Sequence, residues 1–208
     1  MSGGQDQEYV RRLGVLGGSF NPIHFGHLEM AQAAHEQYCI PEILLCPTSD
    51  TYYKSASELL PADIRCEMVS KAIGPFPYMK LSTIDVDRGG YTYTCDTIRD
   101  LLPFADELYF IVGADSLAYM ETWKDCGWFL RNCIILAAER GEALRKEAAR
   151  HREMLQKLYE ADIRPLKIRP FEHSSTEIRQ DIREGKDVTD LIPPETLSYI
   201  REKGLYLG

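Results

Sequence analysis

The chain has 208 residues, 44% hydrophobic and 27% charged, the balance of a globular protein long enough for a sizeable core. A net charge of −8, counted with the five histidines neutral, argues against a nucleic-acid coat or a broad membrane-binding face, yet leaves room for anionic small substrates held by a few local cations. No basic and then apolar leader opens the chain, and no apolar run approaches the roughly 20 residues of a membrane helix, so a cytoplasmic protein is expected.

Residues 1–10 read as a lead-in, and the apolar run over 11–17 as a buried strand. Residues 26–39 read as a helix, with Leu28, Ala31, Ala34 and Tyr38 at helical spacing. "EILLCP" (42–47) is a second strand, stopped by Pro47, and 48–61 is a polar loop. A helix over 62–73 ends at Gly74. A third strand is predicted over 78–85, and "RGGYTYTCDTIRDLL" runs from a loop into a helix. "ELYFIVGAD" (107–115) is the clearest strand, followed by "NCIILAA" (132–138), a long charged helix over 142–160 and a short last strand over 165–171. Helices over 174–184 and 194–203 close the pattern. The six cysteines form no C-x-x-C pair and read as buried, reduced thiols.

Strands alternate with helices throughout. That predicts an α/β fold, a Rossmann-like, doubly wound parallel sheet with helices on both faces. Residues 1–172 would form it, with 173–208 as a small C-terminal helical subdomain of the same domain. Ligands of such sheets sit beyond the carboxyl ends of the strands. The stretches Gly17–His27, Pro47–Lys54 and Gly113–Asp115 all follow strand ends and should meet.

The first of these reads "GGSFNPIHFGH". Gly17 and Gly18 let backbone approach a ligand closely. His24 and His27, near one turn apart where a helix begins, can face one point beside free N–H groups and a positive dipole end. This makes a phosphate cradle. A zinc site would want further ligands nearby, and none is placed there. A second anion signal is "HSSTEIRQ" (173–180), in which Ser174 and Glu177 have capping-box spacing. Ser175 and Thr176 add donors, and Arg179 follows Ser175 by one turn.

Together the H-x-G-H loop and the S-S-T-x-I-R helix resemble the nucleotidylyltransferase superfamily, and within it the bacterial nicotinate-nucleotide adenylyltransferases. "GGSFNPIHFGHL" is similar to the family's first motif, with Asn21 where many members have Asp. "GGYTYTCDT" (89–97) resembles its Y-T-x-x-T segment, "IVGADS" (111–116) its I-G-x-D strand end, and "TW" (122–123) its Thr-Trp pair. "LIPPETLSYIREKGLY" (191–206) resembles its closing motif. Two departures stand out: "TYYK" (51–54) replaces a P-P-H-[KR] loop, and "ERGEAL" near Arg140 replaces R-P-G.

The resemblance implies that ATP and nicotinate mononucleotide give deamido-NAD and pyrophosphate, with Mg²⁺ carried by ATP and no protein-bound metal. It implies His24, His27 and Arg179 as catalytic residues. Gly17, Gly18, Ser19, Phe20, Gly113, Asp115, Ser174, Ser175 and Thr176 would join those three around ATP. Ser19, Lys54, Tyr91, Thr92, Trp123 and Lys124 would hold nicotinate mononucleotide. Backbone N–H groups near Thr92 and Lys124 are the expected donors to its carboxylate. Dual specificity or a preference for the nicotinamide mononucleotide is the alternative. A pantetheine-phosphate adenylyltransferase and a non-catalytic nucleotide sensor rank lower.

Overall fold

The computed structural model describes residues 10–50, 59–139 and 142–207. In chain order the elements are β1 (Arg12–Gly18), α1 (Phe25–Tyr38), β2 (Glu42–Pro47), α2 (Ala62–Ile73), β3 (Met79–Leu81), α3 (Ile84–Arg88), α4 (Thr94–Leu101), β4 (Glu107–Gly113), α5 (Cys126–Asn132), β5 (Ile134–Glu139), α6 (Glu142–Tyr159), β6 (Ile163–Lys167), α7 (Ser175–Arg183) and α8 (Pro194–Glu202). All strand pairs are parallel, in the order β3-β2-β1-β4-β5-β6. The order runs outward in both directions from β1 and β4. The switch point, where such sheets bind ligands, therefore lies between those two strands.

Period-two alternation assigns each strand residue a face. Leu16, Ile43, Leu45 and Ile111 pack with Leu28 of α1, Met68 of α2, Ile178 of α7 and Ile200 of α8. Val15, Cys46, Phe110 and Val112 pack on the other face with Ile98 of α4, Phe129 of α5 and Leu155 of α6. The C-terminal helices thus bury apolar residues in the same core as the central strands.

Three regions differ from the sequence reading. The strand predicted over 78–85 stops at Leu81, and α3 follows. Local polar bonds favour the turn there: Thr83 Oγ1 donates to Asp87 at 2.7 Å, and Arg88 reaches back to Asp85 at 2.7 Å. The last strand lies earlier, over Ile163–Lys167, and it takes Pro165 without losing a ladder bond it needs, because β6 is an edge. Between β4 and β5 the chain forms a 3₁₀ segment, Ala114–Thr122, and then α5, neither of which the apolar periodicity announces.

Candidate active site

β1 ends in Gly17 and Gly18, and the loop after it turns into α1 with His24 as N-cap. The His24 N–H donates to His27 Nδ1 at 3.3 Å, and the two rings lie 3.8 Å apart. That bond places the ring proton of His27 on Nε2, making it a donor. His24 is buried, stacked on Phe171 on one side and tilted against His27 on the other. Phe20 packs inside the loop. The residue is fully buried, its ring edge-on to His27 at 5.0 Å, and its φ of 46° turns the chain.

α7 closes on this loop from 150 residues away in the chain. Ser174 and Glu177 form the capping box. The Ser175 hydroxyl donates to the Pro22 carbonyl at 3.0 Å. Arg179 is buried, and its guanidinium donates to the Asn21 carbonyl at 2.9 Å and to Thr176 Oγ1 at 3.4 Å. Asn21 is buried as well. Its Oδ1 accepts the Tyr206 hydroxyl at 2.8 Å, and the apolar surroundings push that phenol's pKa up. The two anion signals of the sequence are therefore one assembly.

Beside it, at the carboxyl ends of β1 and β4, opens a cavity of about 580 Å³. Gly17, Gly18, Thr48, Thr92, Tyr93, Thr94, Tyr119, Trp123 and Lys124 line its rim and walls, with Asp85, Thr97 and Phe110 deeper in. Trp123 is held by stacking on Phe129 at 5.9 Å and by the edge of Phe110 at 6.3 Å. Thr48 N–H donates to the Gly18 carbonyl at 2.9 Å, so the ends of β1 and β2 do meet. Gly113 ends β4. A Cβ there would stand 2.5 Å from Asp115 Oδ1, so glycine gives that exposed carboxylate room to fold back over the strand end.

Tyr91 stands apart from the cavity. It is 59% exposed and does not line the cavity, whereas Tyr93 and Thr94 do. Y-T-x-x-T spacing with a closing Thr fits only Tyr93–Thr97, and that is the signal the sequence offered. The Thr92 N–H is not open to a carboxylate either, because it donates to the Asp50 carbonyl at 3.1 Å. Lys124 donates to Asp96 at 2.9 Å and lies over the Tyr93 ring at 4.5 Å. Partial burial raises the Asp96 carboxyl, but Lys124 outweighs it and leaves the group below its ordinary range. Lys54, with the rest of "TYYK", and Arg140 lie outside the described residues.

Three residues escaped the sequence reading. Phe171 backs His24. Asp85 is buried against the cavity, accepts Thr97 Oγ1 and Arg88 at 2.7 Å each, and has its pKa raised by burial. Arg65 of α2 is 1% exposed and donates to four backbone carbonyls. Among the described residues no group of three His, Cys, Asp or Glu comes together as a metal cage, and no helix is long and apolar enough to cross a membrane.

A family model described as cytidylyltransferase-like matches residues 15–181. The chain is 37% identical over 200 residues to a probable nicotinate-nucleotide adenylyltransferase of Lachnoclostridium phytofermentans, covering 95% of this chain and 100% of the relative. It is 35% identical to one of the same description from Dehalococcoides mccartyi, over 94% and 97% of the two chains. In fold it resembles the Plasmodium falciparum nicotinic acid mononucleotide adenylyltransferase complexed with NaAD, at a TM-score of 0.74 and 20% identity over 94% of this chain and 97% of that one. With the switch-point cavity, the histidine loop and the α7 cap in one place, the chain belongs to the nicotinate-nucleotide adenylyltransferase family, on the cytidylyltransferase-like fold.

Proposed function

We propose that this chain joins ATP and nicotinate mononucleotide to give deamido-NAD and pyrophosphate, a step of NAD biosynthesis. One observation carries the reading: an aromatic cavity walled by Trp123 abuts the His24–His27 loop at the switch point. The flat indole suits a charged pyridinium ring. The adjoining loop and α7 suit a triphosphate.

The nucleophile is the mononucleotide's own phosphate, largely dianionic at pH 7 because its second pKa is about 6. No protein base is required. The phosphate attacks the ATP α-phosphorus in line, the bond to the β-phosphate oxygen breaks, and pyrophosphate leaves. Mg²⁺ enters with ATP as part of that substrate. The protein aligns the partners and offers donors where charge develops. In this reading His27 Nε2 and the first N–H groups of α7 face the phosphates, while Arg179 fixes the loop through the Asn21 carbonyl. Thr94 opens α4, and while the Asp96 and Thr97 N–H groups donate to the Tyr93 carbonyl, those of Thr94 and Cys95 receive the nicotinate carboxylate in place of Thr92. Gly113 and Asp115 hold adenosine. The enzyme acts in the cytoplasm on two small molecules, without nucleic acid or membrane, as its net charge of −8 supports.

The test is turnover of the purified chain with Mg-ATP and, in parallel, nicotinate mononucleotide, nicotinamide mononucleotide and 4′-phosphopantetheine, with dinucleotide products separated by chromatography. Deamido-NAD should dominate. Equal use of both pyridine nucleotides would make the enzyme dual-specific, and absence of any product would reject adenylyl transfer.

A further inference from the structure

We propose that Arg65 is the positioning residue of the pyridine-nucleotide subsite, an inference that rests on the adenylyl-transfer reading above. Arg65 touches no open part of the cavity. It is 1% exposed, and among the described residues every group its guanidinium reaches is a backbone carbonyl. Nε donates to Leu60 at 2.8 Å, Nη1 to Ser19 at 2.9 Å, and Nη2 to Thr48 at 2.7 Å and Ser49 at 2.9 Å. Burial lowers its pKa from the ordinary arginine value, yet arginine stays charged in proteins.

Two of those carbonyls, of Thr48 and Ser49, belong to peptide groups whose N–H ends hold the segment that carries Thr92 on the cavity wall. The peptide that gives Arg65 the Thr48 oxygen presents the Ser49 N–H, which donates to Thr92 Oγ1 at 2.9 Å. The next peptide gives Arg65 the Ser49 oxygen and presents the Asp50 N–H to the Gly90 carbonyl at 3.1 Å. Thr92 N–H returns to the Asp50 carbonyl at 3.1 Å. A cation on one side of two peptide groups polarises them and strengthens the bonds on the other. Arg65 thereby sets Thr48 and Thr92 on one wall and, through Ser19, the end of the glycine turn on the next. The triphosphate side hangs from a different guanidinium, because Arg179 holds Asn21 and not Ser19. Loss of Arg65 should therefore weaken the mononucleotide far more than ATP, whose side it reaches only through Ser19 and the 3.4 Å Leu60–Asn21 bond.

Calorimetry of each substrate alone, steady-state kinetics and thermal melting on the wild type, Arg65→Lys, Arg65→Met, Thr92→Val and the Arg65→Lys/Thr92→Val double variant test this. A lysine keeps the charge but not the fork. Arg65→Lys should raise Kd and KM for nicotinate mononucleotide about tenfold, the equivalent of one net hydrogen bond, and change those for ATP by less than about threefold. The double variant should be no worse than the poorer single, since both cut one route. Where Arg65→Met does not fold, Arg65→Lys and Thr92→Val carry the test. Equal weakening of both substrates, a lower melting temperature with both Kd values intact, or additive losses would overturn the proposal. A wild type that binds nicotinate mononucleotide without making deamido-NAD would instead overturn the activity reading.

Discussion

The rings of His24 and Phe171 lie 4.9 Å apart with 11° between their planes, and Gly26 passes beside both. A Cβ at position 26 would stand 2.6 Å from Phe171 Cδ1 and 3.1 Å from His24 Cε1, so an alanine must push one ring off the other. Gly26→Ala should lower kcat/KM by about 10²-fold, the scale of a displacement near one ångström at a reacting centre. Phe171→Leu, which removes the stack but leaves room, should lose less. Kinetics on the two purified variants decides, and a fully active Gly26→Ala would show that the stack does not matter.

His27 accepts the His24 N–H at Nδ1 and so presents Nε2 as a donor. His27→Ala should lower kcat by about 10²-fold, as for loss of one preorganised donor to developing charge, while the melting curve stays cooperative. Mass spectrometry under native conditions should find no zinc in wild type or variant. Stoichiometric zinc lost on mutation would replace the phosphate role with a metal one.

Arg179 spans the Asn21 carbonyl and the Thr176 hydroxyl from a buried position. Lysine cannot make the same fork. Arg179→Lys should raise the ATP KM and lower kcat by about tenfold or more, with some loss of stability, since breaking hydrogen bonds to a buried charge costs about 1.5–3 kcal/mol. Wild-type ATP kinetics in Arg179→Lys would remove Arg179 from the site.

The cysteines divide by burial. Cys39 is exposed and the other five are buried. Burial pushes the Cys46 thiol up to about 12 and the Cys126 thiol up to about 11, which leaves the Cys46 thiolate at about 10⁻⁴ of the total at pH 8. Alkylation of the folded protein at pH 8 should add one adduct, on Cys39, without loss of activity, and alkylation in denaturant should add six, one for each cysteine. Rapid native labelling of Cys46 would contradict the packing of β2.

Tyr206 gives its hydroxyl to Asn21 Oδ1, which also accepts the Leu60 N–H at 3.4 Å. Tyr206→Phe should lower stability by about 1 kcal/mol, one net hydrogen bond. Chemical denaturation checks the loss, and an unchanged midpoint would mean that solvent replaces the phenol.

What the sequence displayed and what it hid follow from the kind of contact involved. The glycine turn, the histidine pair and the S-S-T-x-I-R helix are local patterns, and the strands around them are apolar runs with turn residues at their ends, so both were legible. Arg65 was not. In "ADIRCEMVSKAI" it is one charge on an amphipathic helix, and its partners are carbonyls that every residue carries. Phe171 was hidden because the ring it backs lies in a loop 147 positions earlier, the difference between residues 171 and 24. α5 has only seven residues, too few for a periodic signal, and its apolar positions make sense only against β4 and α4. Two Tyr-Thr pairs, Tyr91–Thr92 and Tyr93–Thr94, stand side by side in the sequence, and only their spacing to Thr97 tells them apart.

The loop between β1 and α1 is held by residues made long after it: Ser175 lies 153 positions beyond Pro22, Arg179 lies 158 beyond Asn21, and Tyr206 lies 185 beyond Asn21. At roughly 5–20 residues per second of synthesis, a nascent chain would carry the histidine loop for about ten seconds or more before its anchors exist. The first strands and helices can collapse in that interval, but contacts of such long range form late. The phosphate side of the site therefore waits for the C-terminal helices, whereas the wall that Arg65 holds needs only residues up to Thr92. A chain interrupted before α7 keeps both histidines and lacks the anchors that aim them.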